Sequence, residues 1–149
     1  MSNTRYGRLW IACCICLLAA GCGPGRPATV PVKGTVTLDG KPVAGAQVML
    51  MPQQGGRPAQ GLTDGSGRFA LETFAPGDGA LPGLHAVTVT CRRVSGVAAD
   101  ADGLEGEVGP GGPKVEWIVP RKYADPKTSG LSSQVARGMA PLELRLSAK

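Results

Sequence analysis

The sequence predicts an all-β fold: about seven or eight short strands packed as an antiparallel β-sandwich. Three observations lead there. Apolar and polar residues alternate with a period of two in several stretches of five to seven residues, the signature of strands with one buried face. The 149 residues include 23 Gly and 13 Pro, clustered between those stretches as turn chemistry. Nowhere does an apolar period of 3.6 run long enough to supply a core helix.

Taken in order, the chain opens with a different kind of segment. Residues 1–8 are polar and carry Arg5 and Arg8 with no acid, and Leu9–Ala20 is an uncharged apolar run. Twelve helical residues at 1.5 Å each reach about 18 Å, short of the roughly 30 Å of hydrocarbon in a bilayer. Pro24 ends any helix that would extend the run. The order of a positive stretch, an apolar stretch and small residues is that of an export signal. Ala19-Ala20-Gly21-Cys22 resembles the lipobox of bacterial lipoproteins, with Ala19 at the place where that family prefers Leu. The resemblance implies cleavage at Gly21–Cys22 and a diacylglycerol on the Cys22 thiol, leaving residues 1–21 as signal peptide. Two or more acyl chains anchor stably, at about 0.8 kcal/mol per buried CH₂. Cys13, Cys14 and Cys16 lie inside the apolar run and read as small hydrophobes of the discarded peptide. Gly23 stands where Asp retains such proteins at the inner membrane, so the resemblance points towards the outer membrane.

Residues 22–31 are the lipidated tether, rich in Gly and Pro, and span at most about 30 Å when extended. From Val32 the strand pattern begins. Val32, Gly34, Val36 and Leu38 share one face. Asp39-Gly40 is a hairpin-type turn, because Gly accepts the positive φ such turns need. Ala46, Val48 and Leu50 form the next inward set, and residues 52–60 read as a polar loop. Asp64-Gly65-Ser66-Gly67 is a second tight turn, followed by a strand with Phe69 and Leu71 inward. Residues 73–83 are a Gly/Pro connection. His85, Val87, Val89 and Cys91 then alternate with Ala86, Thr88 and Thr90. The stretch 92–114 breaks the rhythm with six glycines and four acids, and a loop of that length is functional or disordered. A short strand around Trp117, an extended connector over 120–130, a strand at 131–135 and the alternating Leu142, Leu144 and Leu146 complete the pattern.

Three motifs in order resemble a family. Val36-Thr37-Leu38-Asp39-Gly40-Lys41-Pro42 with Ala46-Gln47-Val48, Thr63-Asp64-Gly65-Ser66-Gly67-Arg68-Phe69, and Pro82-Gly83-Leu84-His85-Ala86-Val87-Thr88-Val89 are similar to the strand-and-turn motifs of carboxypeptidase-regulatory-like, or transthyretin-like, domains. His85 stands where that family usually has Tyr. The resemblance covers about residues 32–147 and makes 32–149 one such domain, with 92–114 as an insertion outside the shared pattern. It implies a seven-stranded sandwich acting as a structural or ligand-contacting module, without catalysis.

Composition narrows the function classes. Loss of Arg5 and Arg8 takes the net charge from +5 to +3, and no basic-aromatic stripe offers a nucleic-acid surface. With Cys22 lipidated, only Cys91 remains, so a monomer forms no disulfide. His85 is the only histidine; it lacks a nucleophile motif beside it and fills an aromatic slot in a core strand. Asp64-Gly65-Ser66-Gly67 is accounted for by its turn. Asp100, Asp102, Glu105 and Glu107 are the calcium candidates, since carboxylates are hard oxygen ligands. Their spacing matches no loop ending in a bidentate Glu, and a solvated acidic loop accounts for them equally. The expectation is a non-enzymatic, membrane-anchored lipoprotein of the bacterial envelope, without cofactor, facing the periplasm or outer membrane, with a structural role or contacting an envelope protein or glycan. The alternatives are a calcium-dependent carbohydrate-binding module using the sandwich loops, and an accessory domain of an envelope hydrolase.

Overall fold

The computed structural model describes residues 26–95, 112 and 114–149. They form an all-β sandwich of ten strand segments: β1 (Lys33–Leu38), β2 (Lys41–Pro42), β3 (Gln47–Pro52), β4 (Ala59–Leu62), β5 (Arg68–Ala70), β6 (Gly83–Thr90), β7 (Arg92–Ser95), β8 (Lys114–Trp117), β9 (Leu131–Val135) and β10 (Leu142–Leu146). One sheet has β1 at its centre, with β10 on one side and both β2 and β5 on the other; the second runs β4-β3-β6-β9. β7 and β8 make a separate two-stranded ribbon.

The alternation in the sequence becomes the inside and outside of these sheets. Val36, Val48, Leu50, Leu71, Val87 and Val89 are fully buried between them. Burying a Val or Leu side chain contributes roughly 1.5–3 kcal/mol, and no disulfide exists among the described residues to share that task. The Asp39-Gly40 turn forms as expected, with φ of 48° and 80°, and sets Leu38 opposite Lys41.

Four features depart from the sequence expectation. The pairing is not wholly antiparallel: β1 and β10 run parallel, Gly34 opposite Leu142 through Leu38 opposite Leu146. The expected loop over 52–60 is shorter, because Ala59–Leu62 pairs with β3 as β4. Its sequence, AQGL, has weak strand propensity, and pairing with β3 makes it a strand. The ends of the 92–114 stretch are ordered as the β7–β8 ribbon, Arg92 opposite Trp117 and Ser95 opposite Lys114. Finally, the 120–130 connector contains a 3₁₀ turn, Arg121–Ala124, whose Tyr123 is buried. Its hydroxyl accepts a 3.0 Å hydrogen bond from the Ser147 amide just after β10.

The strand carrying Phe69 and Leu71 changes sheets. β5 pairs with β1, and Leu71 N donates to Val32 O at 2.9 Å. One residue later Glu72 exchanges two backbone hydrogen bonds with Gln60 of β4, of 2.8 and 2.9 Å. One side of the sandwich is thereby closed by continuous chain. The entering segment is held as well: Val30 and Ala80 exchange hydrogen bonds of 2.8 and 2.9 Å, and Val30 is already part of the core.

Gly34 is required where it stands. A Cβ there would run into the carbonyl oxygen of Leu142 and the Phe69 ring. Backbone cannot yield as a side-chain tip can, so Gly34→Ala is expected to lose about 2–4 kcal/mol in urea unfolding. Gly45 has φ 66° with open space around its Cβ position; Gly45→Ala carries only backbone strain and is expected to lose about 1 kcal/mol.

Candidate functional site

The outer face of the second sheet carries two adjoining depressions. Period two turns Val48 and Leu50 inward and therefore Gln47 and Met49 outward. Cross-strand register then builds two rows. Thr90, Gln47 and Leu62 align in one, and Thr88, Met49 and Gln60 in the next. The backbone bridge adds Glu72 to the second row, beside Gln60.

Two adjoining depressions of about 370 and 360 Å³ lie over these rows, and Gln60 and Glu72 line both. Gln60 and Glu72 stand between them, and the pair of depressions makes up the groove. Arg57 and Phe74 line one end, with the Arg57 guanidinium carbon 5.7 Å from the Phe74 ring centre. Thr90 and Arg92 line the other. The ion pairs among the described residues, Arg93–Glu116 and Arg145–Glu143, lie elsewhere, so neither groove arginine is spent on Glu72. Gln60 and Glu72 bond each other through backbone, which leaves their side chains over the groove.

The wall bearing Phe74 is shaped by Asp78. Its Oδ1 accepts from Thr73 N at 2.6 Å and its Oδ2 from Phe74 N at 3.0 Å and Ala75 N at 3.1 Å. Thr73 Oγ1 donates to Gly79 O at 2.7 Å, and Gly79 takes φ 92°. The backbone bond from Thr73, then those from Phe74 and Ala75, hold the Asp78 carboxyl below its ordinary value of 3.8 against some desolvation, with Arg26 assisting. Asp64 does a similar task in its turn. Its Oδ1 accepts from Ser66 Oγ at 2.7 Å, Ser66 N at 2.8 Å and Arg68 N at 2.9 Å, and the Ser66 hydroxyl is the main reason its pKa is lowered. Asp64 is thus engaged as a turn former, as its sequence predicts.

The other residues singled out in the sequence fall into two groups. His85 is fully buried. Its Nε2 lies 2.8 Å from Leu81 O, its Nδ1 has no partner, and Ser133 of β9 sits opposite it. Cys91 is buried and unpaired, its Sγ 3.5 Å from Ala44 O; burial pushes the thiol pKa up, slightly offset by Arg93. The Cys91 carbonyl accepts from both Ile118 and Val119 amides, which marks the break between β6 and β7. Both side chains are core material. Cys22 and the acids Asp100, Asp102, Glu105 and Glu107 lie outside the described residues. Among the described residues no three His, Cys, Asp or Glu side chains cluster as a metal site.

The groove was not visible in the sequence. Arg57, Gln60, Glu72 and Arg92 belong to a loop, a strand, a bridge and the ribbon. Alternation alone marked Gln47 and Thr90 as outward, with no sign that they were neighbours. Comparison with protein families, curated proteins and solved structures finds no match.

Two outcomes follow from this geometry. His85→Phe is expected to keep stability within about 1 kcal/mol, since the orphaned Nδ1 is removed as one hydrogen bond is lost. His85→Ala should lose about 2–4 kcal/mol through the cavity it leaves. Chemical denaturation checks both, and a large loss in the Phe variant would contradict the aromatic-slot assignment. For Asp78, a lowered folded pKa means its stabilisation is present above the unfolded value, near 3.8, and is lost as pH falls through the folded pKa. An NMR carboxyl titration should place its midpoint below 3.8, and Asp78→Ala should flatten the acid limb of the stability curve.

Proposed function

We propose that this protein is a lipid-anchored, non-enzymatic lipoprotein of the bacterial envelope whose β-sandwich has a structural role or contacts an envelope protein or glycan. The observation that carries this is the Arg5/Arg8, Leu9–Ala20, Ala19-Ala20-Gly21-Cys22 series, followed by a tether that leads straight into a packed domain. The bridged Val30 lies eight positions after Cys22, a reach of at most about 28 Å.

Pro27 and Ala28 lie against Leu81 to Leu84, at the start of β6. β6 runs away from that end for eight residues, about 26 Å at 3.3 Å each, and the β7–β8 ribbon follows it. His85 supports the non-enzymatic reading, because its ring is buried against Leu81 O and not aimed at a cleft. The calcium-dependent reading through Asp100, Asp102, Glu105 and Glu107 is an alternative that calcium titration by calorimetry decides.

Metabolic labelling with a fatty-acid analogue tests the anchor. The wild-type chain is expected to carry label and to fractionate with membranes, and Cys22→Ser to lose both. Label retained by Cys22→Ser would refute the assignment.

A further inference from the structure

Building on the envelope reading, we propose that the groove on the outer face of β3 and β4 binds an acidic oligosaccharide. Its shape suits a chain. Two depressions of about 370 and 360 Å³ adjoin along Gln60 and Glu72, which line both. From the level of Arg57 to that of Arg92 is roughly 20 Å at the rise of a strand. An elongated trough on a sheet face holds a linear ligand along its length and encloses little of it.

The chemistry of the lining selects among linear ligands. Gln47 and Gln60 each present a donor and an acceptor, Glu72 an acceptor, and Arg57 and Arg92 planar donor forks. A polyol needs donors and acceptors interleaved along its length, as they are here. Between them, the half-buried Phe74 and Met49 and the 67% exposed Leu62 offer apolar patches for the C–H faces of sugar rings. An extended peptide is less well served. Peptides add to a sheet through a free strand edge, and at Gln60 the outer edge of β4 is taken by the backbone of Glu72. The side chains at the groove floor are also too shallow to form a closed apolar anchor pocket for a peptide side chain.

The charges make the ligand acidic. A guanidinium stands at each end and one carboxylate in the middle, with no ion pair joining them among the described residues. Arg binds carboxylates through two parallel hydrogen bonds, so acidic groups spaced along a glycan chain meet both ends. The site is also preformed. Gln47 and Gln60 sit on paired strands, Glu72 is fixed by its reciprocal bonds, and Asp78 ties down the wall that carries Phe74. Little ordering entropy is then lost on binding.

The test is a titration of the full chain in detergent with a hexameric oligogalacturonate, and with a neutral malto-oligosaccharide of equal length. The acidic hexamer should bind about tenfold more tightly than the neutral one, and its affinity should fall as salt is raised. Gln60→Ala and Arg92→Ala should each weaken it about tenfold while leaving the unfolding midpoint in place. Gln134→Ala, exposed on β9 of the same face, should leave binding unchanged. Absence of binding by the acidic hexamer overturns the proposal. So do equal affinity for the neutral hexamer, insensitivity to both groove substitutions, or displacement by an extended peptide instead. Because fatty-acid labelling of Cys22 is read independently, failed glycan binding with the label intact overturns this assignment alone.

Discussion

The fold depends on β1 being covered along both edges. It takes β10 in parallel on one side and β5 and β2 antiparallel on the other, so the first and last strands of the sandwich are neighbours. Its Gly34 lets the Leu142 backbone and the Phe69 ring come close. A chain whose one cysteine among the described residues is free has only such packing, and the apolar area it removes from water, to offset the entropy of ordering. Val36, at the middle of β1, is fully buried, and so are Val48, Leu50, Val87 and Val89 of the opposite sheet.

The same constraint produces the groove. Because β5 is bound to β1 and the chain is continuous, Glu72 must arrive beside Gln60 on the other sheet. That crossing closes the sandwich and brings a carboxylate to a face otherwise lined by amides, hydroxyls, two guanidiniums and apolar groups. Gly61 permits the approach, since a Cβ there would meet Ala70 O at 2.5 Å. The polar lining of the groove and the closure of the sandwich thus come from the same few residues. The side chains at the surface remain available because their backbones do the structural work.

Sequence and structure agree best where local chemistry decides. The Asp39-Gly40 turn, the Asp64–Gly67 turn, and the inward sets Val48–Leu50 and Val87–Val89 follow from positive φ and period two. They disagree where pairing across the fold decides. Ala59–Leu62 has too little intrinsic preference to announce a strand, and becomes one beside β3. The 3₁₀ turn around Tyr123 is fixed by the distant Ser147. The ribbon is made by Arg92–Ser95 meeting Lys114–Trp117, across a stretch with no periodicity of its own.

The sequence by itself determined the all-β class, the inward facing of residues on the strands it marks, such as Val48, Leu50, Val87 and Val89, the burial of His85 and Cys91, and the Asp39-Gly40 and Asp64–Gly67 turns, because each depends on a residue and its near neighbours. The export-signal pattern ending at Cys22 was likewise written in adjacent residues. Tertiary structure alone decided that β1 lies parallel to β10, that the strand after Gly67 crosses between sheets, and that Arg57, Gln60, Glu72 and Arg92 share one groove. Alternation says which way a side chain points but carries no information about which strand lies beside it. Partners separated by tens of residues are selected only when the whole core closes.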